Sequence, residues 1–217
     1  MMKKVNFDDY ANNYDQTLQE QHKLFGDISY YSEYKVRLLT KFFDGNKMMN
    51  ILEYGCGIGR NLEYFRKYFP NSFLYATDIS KESLSVARKR YAYVNFFELE
   101  DICKFYNFFD LIFIAGVYHH ILPEDRIQVT SNIYNLCRPN GYVVVFEHNP
   151  FNPITRKMVR ECEFDTDAVL LSKTELIELF EKNRFFVVKS GYTLFVPPRL
   201  KRISFIENYL SWLPLGG

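Results

Sequence analysis

Three glycines at alternate positions, behind a short apolar stretch, constrain this chain more than any other feature. Gly55, Gly57 and Gly59 follow the apolar residues 51–54 and precede a helical pattern. Glycine has no Cβ and accepts left-handed backbone angles, so a turn of this kind lets a ligand lie against main-chain N–H groups at the start of a helix. The segment therefore predicts a nucleotide-binding turn between a strand and a helix.

The spacing of the glycines argues against a dinucleotide site. A G-x-G-x-x-G fingerprint would place its third glycine at position 60, where this chain has Arg60. Arginine is a poor substitute where a helix packs closely on a strand, so an NAD-linked oxidoreductase is disfavoured. Glu53 stands two residues before Gly55 and completes an E-x-G-x-G-x-G pattern.

Composition narrows the class of protein further. The chain has 217 residues, 47% of them hydrophobic, which is enough for one domain with a large core. A net charge of +1 from 27 basic and 26 acidic residues gives no field that would attract nucleic acid or an anionic membrane. No apolar run approaches the ~20 residues of a membrane span. The four cysteines lack metal-type pair spacing and the start of the chain carries acids, so we expect a cytoplasmic protein.

Strand-like and helix-like patterns alternate along the chain. This alternation predicts an α/β fold, with a doubly wound, mostly parallel sheet and helices on both faces. Strands are predicted near 49–54, 72–77, 94–98, 109–115, 141–147 and 184–196, and helices near 59–68, 81–90, 123–137 and 172–182. Ser172 with Glu175 has the spacing of a capping box at the start of the last of these helices.

We expect a single domain over residues 1–217 with four parts. These are an N-terminal helical cap at 1–45, a cofactor-binding half at 46–147, a lid-like connection at 148–171 and a C-terminal half at 172–217. Long connections such as the third part are usually functional or disordered. The cap has a helical pattern over 31–43, and the tail from Arg199 suggests an amphipathic helix that ends at Pro214.

The motifs that follow successive strands resemble those of class I S-adenosylmethionine-dependent methyltransferases. They are the glycine turn with Glu53, then Asp78 after the second strand, and Ala115-Gly116-Val117-Tyr118-His119-His120 after the fourth. The resemblance spans roughly residues 7–200. It implies a Rossmann-like fold, S-adenosylmethionine as methyl donor and S-adenosylhomocysteine as product.

The same resemblance implies a set of cofactor contacts. The glycine turn would wrap the amino-acid and ribose portion, Asp78 would accept hydrogen bonds from the ribose hydroxyls, and Asp101, with Glu100 as competitor, would meet the adenine amino group. Tyr14 and either Tyr30 or Tyr31 would cover the cofactor. The implied cofactor-binding residues are Tyr14, Arg37, Glu53, Gly55, Gly57, Gly59, Asp78, Ile79, Asp101, Ile102, Ala115 and Gly116.

Three histidines are candidates for a general base, because histidine titrates near neutral pH. His119 and His120 follow the fourth strand, and His148 follows the fifth beside Glu147, which could orient it or bind substrate hydroxyls. We favour His120. A zinc or magnesium site could be drawn from these three histidines and Glu147, but no spacing demands it, and we expect no metal.

Three further segments resemble a bacterial subgroup of sugar, polysaccharide and natural-product tailoring methyltransferases. They are residues 7–15, 148–156 and 164–168. We therefore expect O-methylation of a hydroxylated small molecule or glycan precursor. One alternative is methylation of a nitrogen or carbon acceptor. Another is a partner protein that binds S-adenosylmethionine without catalysis. Class I members normally continue with a last antiparallel strand beyond the point where this sequence stops, so an exposed sheet edge and self-association are also expected.

Overall fold

A five-stranded parallel sheet forms the centre of the computed structural model, which describes residues 5–11, 29–197, 202 and 205–216. The strands are β1 (Asn50–Tyr54), β2 (Phe73–Thr77), β3 (Asn95–Phe96), β4 (Phe109–Ala115) and β5 (Cys137–Phe146). Their order in the sheet is β3-β2-β1-β4-β5, and every pair is parallel. The connection from β3 back to β4 passes over β2 and β1, so β1 lies at the centre of the sheet.

The helices that cover the sheet have the bounds α1 (Ser29–Leu39), α2 (Leu62–Tyr68), α3 (Lys81–Arg90), α4 (Arg126–Leu136), α5 (Pro153–Glu161), α6 (Lys173–Lys182) and α7 (Glu207–Leu210). Short 3-10 helices lie at Phe7–Asp9, Leu99–Phe105, Tyr118–His120 and Glu163–Asp165. Ser80 caps α3 by accepting from the Ser83 N–H. Ser172 and Glu175 form the predicted capping box of α6. Within the described residues, none of the helices is long and apolar enough to cross a membrane.

Alternate residues of the central strands face opposite layers of helices. Ile51 and Phe113 pack with α1, α2 and α3 on one face, whereas Leu52, Ile112 and Ile114 pack with α4 and α6 on the other. All five side chains are at most 1% exposed to solvent, as expected for parallel strands covered on both faces. The predicted doubly wound fold is confirmed.

The predicted strand over 184–196 is wrong. The structure has neither strand nor helix there, and Arg184 and Leu194 have left-handed φ angles of 68° and 60°. Backbone N–H groups that a strand would pair with a neighbour are used elsewhere. Leu194 and Val196 donate to the Glu207 carboxylate, and Tyr192 donates to the Ser211 carbonyl. This stretch therefore binds the C-terminal segment instead of extending the sheet.

Smaller differences concern the ends of elements and the tail. α2 and α4 begin at Leu62 and Arg126, three residues after the predicted starts, because turns occupy the residues before them. The described part of the tail contains the four-residue helix α7 in place of a long amphipathic helix. The connection 148–171 is ordered around α5, whose first turn is capped by Asn152 and begins with Pro153.

Candidate active site

The register of the sheet aligns the carboxyl ends of its central strands. Tyr54 lies opposite Thr77 on β2 and Ile114 on β4, while Ala115 lies opposite Phe146 on β5. The residues that follow these strands, Gly55, Asp78, Gly116 and Glu147, are therefore brought to one edge. In open parallel sheets this edge is where ligands bind.

The three glycines of the turn serve different purposes. All have left-handed φ angles: 74° at Gly55, 52° at Gly57 and 86° at Gly59. A Cβ at Gly59 would lie 2.8 Å from the Leu62 side chain, and one at Gly55 would strike Val117, so these two glycines permit close packing. A Cβ at Gly57 would meet nothing within 4 Å. Gly57 thus presents main chain to open space, where a ligand can approach it.

Glu53 and Asn61 leave two buried oxygens without a hydrogen-bond donor. Asn61 Nδ2 donates to Glu53 Oε1 at 2.6 Å, but Glu53 Oε2 and Asn61 Oδ1 are buried and have no partner among the described residues. Burial raises the pKa of Glu53 to about 8, against the opposing effects of Asn61 and the Lys35 charge. Unpaired buried acceptors are costly, so this pair suits a ligand that supplies N–H donors.

Asp78 joins the end of β2 to the glycine turn. Its Oδ2 accepts from the Gly57 N–H at 2.6 Å and its Oδ1 accepts from the Ser80 N–H at 2.9 Å. Burial raises the pKa of Asp78, although these backbone hydrogen bonds act in the opposite direction. Because Ser80 caps α3, Asp78 is not needed as the cap and can serve a ligand.

The remaining predicted cofactor residues lie along the same edge with differing exposure. Asp101, on the 3-10 helix after β3, is half-exposed and forms an ion pair with Lys104 at 2.7 Å. Ile102 packs against the apolar layer, whereas Ile79 is 65% exposed. Ala115 and Gly116 end β4 half-buried, and the Gly116 N–H donates to the Phe146 carbonyl at 2.9 Å.

The N-terminal helix α1 contributes a lysine that the sequence did not single out. Burial and the charge of Arg60 lower the pKa of Lys35 to about 8, while Glu53 and Glu147 act to raise it. Lys35 therefore lies among the charges at the strand ends. Arg37, the predicted cation, is exposed, and the charge of Arg37 acts on Glu33 and Tyr30.

Tyr14 and either Tyr30 or Tyr31 were predicted to cover the cofactor. Tyr30 and Tyr31 lie on α1 with their rings 5.7 Å apart, and the Tyr30 hydroxyl is buried without a partner among the described residues. Burial raises the pKa of both tyrosines. Tyr14 lies outside the residues that the structure describes.

Glu147 fixes the turn that carries the histidine pair. Its Oε1 accepts from the N–H groups of Val117 and Tyr118 at 2.9 and 2.7 Å, and its Oε2 contacts His119 Nδ1 at 2.7 Å. Burial alone would raise the pKa of Glu147, but the interactions with His119, His148 and Tyr118 lower it to about 2. Glu147 thus orients His119, whereas the sequence suggested His148 or the substrate as its partner.

The three candidate histidines lie together. The rings of His119 and His120 are 4.0 Å apart, and those of His119 and His148 are 4.9 Å apart. Burial opposes a charge on His119, yet Glu147 and Asp165 raise the pKa of His119 to about 9. Burial and the charge of His119 lower the pKa of His148 to about 4. His120 is the more accessible member of the pair, with 17% of its side chain exposed against 2% for His119.

Two aspartates from the 148–171 connection complete this cluster. Asp165 Oδ1 lies 3.5 Å from His119 Nε2 and 3.3 Å from His120 Nε2, and Asp167 Oδ1 lies 3.6 Å from His120 Nδ1. The Val169 N–H donates to the His119 carbonyl at 2.8 Å, which holds the two segments together. From the sequence, Asp165 and Asp167 served only to indicate a subgroup, and their place in the site was missed. The signal that could have indicated it was two acidic residues, two positions apart, directly after the apolar Phe164.

The first residues of the described chain touch both halves of the site. Asp8 accepts from Ser80 Oγ at 2.6 Å at the end of β2, and the Phe7 ring packs edge-on against His120 at 4.9 Å between centroids. The Val5 N–H donates to Asp167 Oδ2 at 2.8 Å. Asp8 is a further residue that the sequence analysis did not nominate.

Comparisons with known proteins agree with this architecture. Residues 52–143 match a family model described as a methyltransferase domain. A Rickettsia prowazekii protein described as uncharacterized is 25% identical over 199 residues, covering 83% of this chain and 80% of that protein.

Solved structures with the same fold include several methyltransferases. A SAM-dependent methyltransferase from Archaeoglobus fulgidus has a TM-score of 0.64 at 18% identity, covering 90% of this chain and 93% of that one. One from Thermotoga maritima has a TM-score of 0.67 at 22% identity, covering 88% and 85%. Phosphoethanolamine N-methyltransferase 2 of Haemonchus contortus, in complex with S-adenosylmethionine, has a TM-score of 0.63 at 23% identity, covering 94% of this chain and 49% of that one. The domain match over residues 52–143 and the shared fold support the prediction of an S-adenosylmethionine-dependent methyltransferase.

Replacing Glu53 by Gln should flatten the pH dependence of stability. The folded-state pKa of Glu53, about 8, lies above its ordinary value of 4.5, so its stabilising contribution is complete below that ordinary value and is lost as pH rises through 8. The free energy of unfolding of the wild type should fall across this interval, and Glu53→Gln should lose part of that slope in urea titrations. Glu178→Gln, an exposed change on α6, should keep the wild-type slope. An unchanged slope in Glu53→Gln would contradict the raised pKa of Glu53.

Proposed function

We propose that this chain, whose residues 52–143 form a methyltransferase domain, transfers a methyl group from S-adenosylmethionine to a hydroxyl of a small polar acceptor. One observation carries the proposal. A glycine turn with unpaired buried acceptors, at the ends of β1 and β2, lies on the same sheet edge as a cluster of imidazoles at the ends of β4 and β5. The first can hold the cofactor, and the second can receive the proton of an acceptor.

The residues at the ends of β1, β2 and β3 would contact successive parts of S-adenosylmethionine along the edge of the sheet. The open main chain at Gly57 can lie against the methionine and ribose portion, and Asp78 can accept from the ribose hydroxyls. Asp101 and the Ile102 N–H lie one strand further out, where adenine would bind. Ala115 and Gly116 would present main chain to the methionine part from β4, which completes the set inferred from the sequence.

The charged ends of the methionine portion have matching partners. Its ammonium group would supply the donors that Glu53 Oε2 and Asn61 Oδ1 lack. Its carboxylate would pair with Lys35, which lies among the charges at the strand ends, in preference to the exposed Arg37. Glu53 and Lys35 would then both bind the cofactor in their charged forms.

Bound S-adenosylmethionine supplies a methyl group on a sulfonium, a good leaving group, so the protein has mainly to align the acceptor and remove its proton. His120 would take the hydroxyl proton, since it is the more accessible of the paired histidines. The acceptor oxygen would attack the methyl carbon while the carbon–sulfur bond breaks and its electron pair passes to sulfur. The products are the methyl ether, S-adenosylhomocysteine and a proton.

The acceptor class we infer is a hydroxylated sugar, glycan precursor or natural product. The segments 148–156 and 164–168, which resemble the tailoring subgroup, contribute polar groups to the histidine cluster through His148 and through Asp165 and Asp167. An amine acceptor is the second candidate, favoured by the similar fold of the Haemonchus contortus N-methyltransferase and by the acidic pair Asp165 and Asp167. A neutral amine needs no base, so the histidine variants separate these two candidates.

Replacing Asp78 by Ala should weaken S-adenosylmethionine binding by about 1–3 kcal/mol, because hydrogen bonds to a carboxylate are lost. Calorimetric titrations with S-adenosylmethionine, S-adenosylhomocysteine and NAD would measure this, with binding of the first two and not of NAD expected for the wild type. Asp125→Ala, at an exposed position before α4, should bind as the wild type does. NAD binding, or normal affinity in Asp78→Ala, would count against the proposed cofactor site.

Lys35→Met and Arg37→Met should differ in their effect on cofactor affinity. Loss of a partner for the methionine carboxylate should weaken S-adenosylmethionine binding by about 1.5–3 kcal/mol in Lys35→Met and by less in Arg37→Met. Methylthioadenosine lacks the amino-acid part, so its affinity should be equal in the wild type and in both variants. If Arg37→Met has the larger effect, the original inference from the sequence is preferred.

His120→Ala should lower turnover by about 10²–10⁴-fold if His120 is the general base, with cofactor affinity nearly unchanged. Turnover is measured as S-adenosylhomocysteine release with any hydroxylated acceptor that a panel of sugars and glycan precursors identifies. Unchanged turnover would remove His120 from this role. Unchanged turnover with an amine acceptor would favour N-methylation instead.

A further inference from the structure

We propose that His119, His120 and Asp165 form a binding site for one divalent transition-metal ion, with Zn²⁺ as its type. One ligand atom of each residue lies within 4.8 Å of the others. The sequence analysis expected no metal, because the ligand residues show no metal-type spacing along the chain. The inference concerns the acceptor half of the site and rests on the proposed function for its catalytic consequence, although metal binding itself does not depend on that function.

The distances fit coordination better than hydrogen bonding. Asp165 Oδ1 lies 3.5 and 3.3 Å from the Nε2 atoms of His119 and His120, beyond the usual range for N–H···O hydrogen bonds. Two ligands about 2.1 Å from a tetrahedral zinc ion lie about 3.4 Å apart. The two separations from Asp165 therefore match those between ligands of a shared ion, and the ligand atoms of the two histidines lie within 4.8 Å of each other.

Both histidines have the surroundings of metal ligands. His119 directs Nδ1 to the Glu147 carboxylate at 2.7 Å, leaving Nε2 toward Asp165. His120 directs Nδ1 toward Asp167 Oδ1 at 3.6 Å and Nε2 toward Asp165. Metal-bound histidines commonly have a carboxylate on the second ring nitrogen, which fixes the tautomer and the ring orientation. His119 has this arrangement at hydrogen-bond distance, and His120 has a carboxylate oxygen 3.6 Å from its second ring nitrogen.

The balance of charge also favours a cation. The side chains of Glu147, Asp165 and Asp167 are 6%, 12% and 13% exposed, so three carboxylates are largely removed from water. His120 Nδ1 and Asp167 Oδ1 are buried and lack a hydrogen-bond partner among the described residues. Buried carboxylates are costly unless opposite charge offsets them. A divalent ion bound to neutral imidazoles would offset two of the three charges, in place of the single positive charge of a protonated His119.

The ligand set indicates the class of ion. Two imidazoles and one carboxylate suit Zn²⁺, Co²⁺ or Fe²⁺ and leave coordination positions for exogenous ligands. Because Asp165 and His120 retain 12% and 17% exposure, a small ligand can reach this place. With an ion bound, His120 would be a ligand and no longer the general base. The ion would lower the pKa of a bound acceptor hydroxyl, whose proton would pass to solvent water.

Metal titration of the chelator-treated full chain tests the proposal. The wild type should bind one equivalent of Co²⁺ with a visible d–d absorption band, and Zn²⁺ should displace it. Asp165→Asn and His120→Gln should each weaken binding about 100-fold or more. Glu163→Gln, an exposed change two residues from Asp165 on the same 3-10 helix, should bind as the wild type does.

Two outcomes would overturn the proposal. One is that the wild type binds no metal ion. The other is that Asp165→Asn and His120→Gln bind it as tightly as the wild type does, which would locate the ion elsewhere. Circular dichroism and S-adenosylmethionine titration of each variant check that the fold is intact. Cofactor binding by a wild type that binds no metal would reject the metal site alone. Metal binding without cofactor binding would reject the proposed function and leave the metal site standing.

Discussion

The arrangement of the histidine cluster depends on the hydrogen bonds of the Glu147 carboxylate. It emerges at the end of β5, accepts two main-chain N–H groups from the turn after β4 and contacts His119. These contacts satisfy a buried charge and at the same time fix the orientation of one imidazole. With that turn held, His120 and the aspartates of the 148–171 connection take defined positions around it.

The parallel sheet supplies the larger constraint, because its register brings the ends of four strands to one edge. β1 and β2 contribute the glycine turn, Glu53 and Asp78, and β4 and β5 contribute the histidines and Glu147. In the proposed function, cofactor and acceptor roles therefore divide at the middle of the sheet. A methyl group bound near Gly57 and Gly116 would lie between them, which is the arrangement that methyl transfer requires.

The N-terminal 3-10 helix links these halves. Phe7 and Asp8, adjacent in the chain, contact His120 on one side and Ser80 on the other, while Tyr10 packs on Phe164 with ring centroids 4.8 Å apart. Short-range packing of this kind couples the position of the N-terminal residues to both binding regions. The 148–171 connection and the start of the chain thus both contact the histidine cluster and also contact each other.

The sequence by itself determined the glycine turn, the alternation of strands and helices, the cap at Ser172, and the residues that end β1, β2 and β4. These features depend on backbone geometry and local periodicity, which neighbouring residues encode. Only the tertiary structure decided that Asp165 meets His119 and His120, that Glu53 and Glu147 act on the charge of Lys35, and that residues 184–196 bind the C-terminal segment. Such contacts join positions far apart in the chain, and their distances follow from how the crossovers and connections pack, which no local pattern specifies.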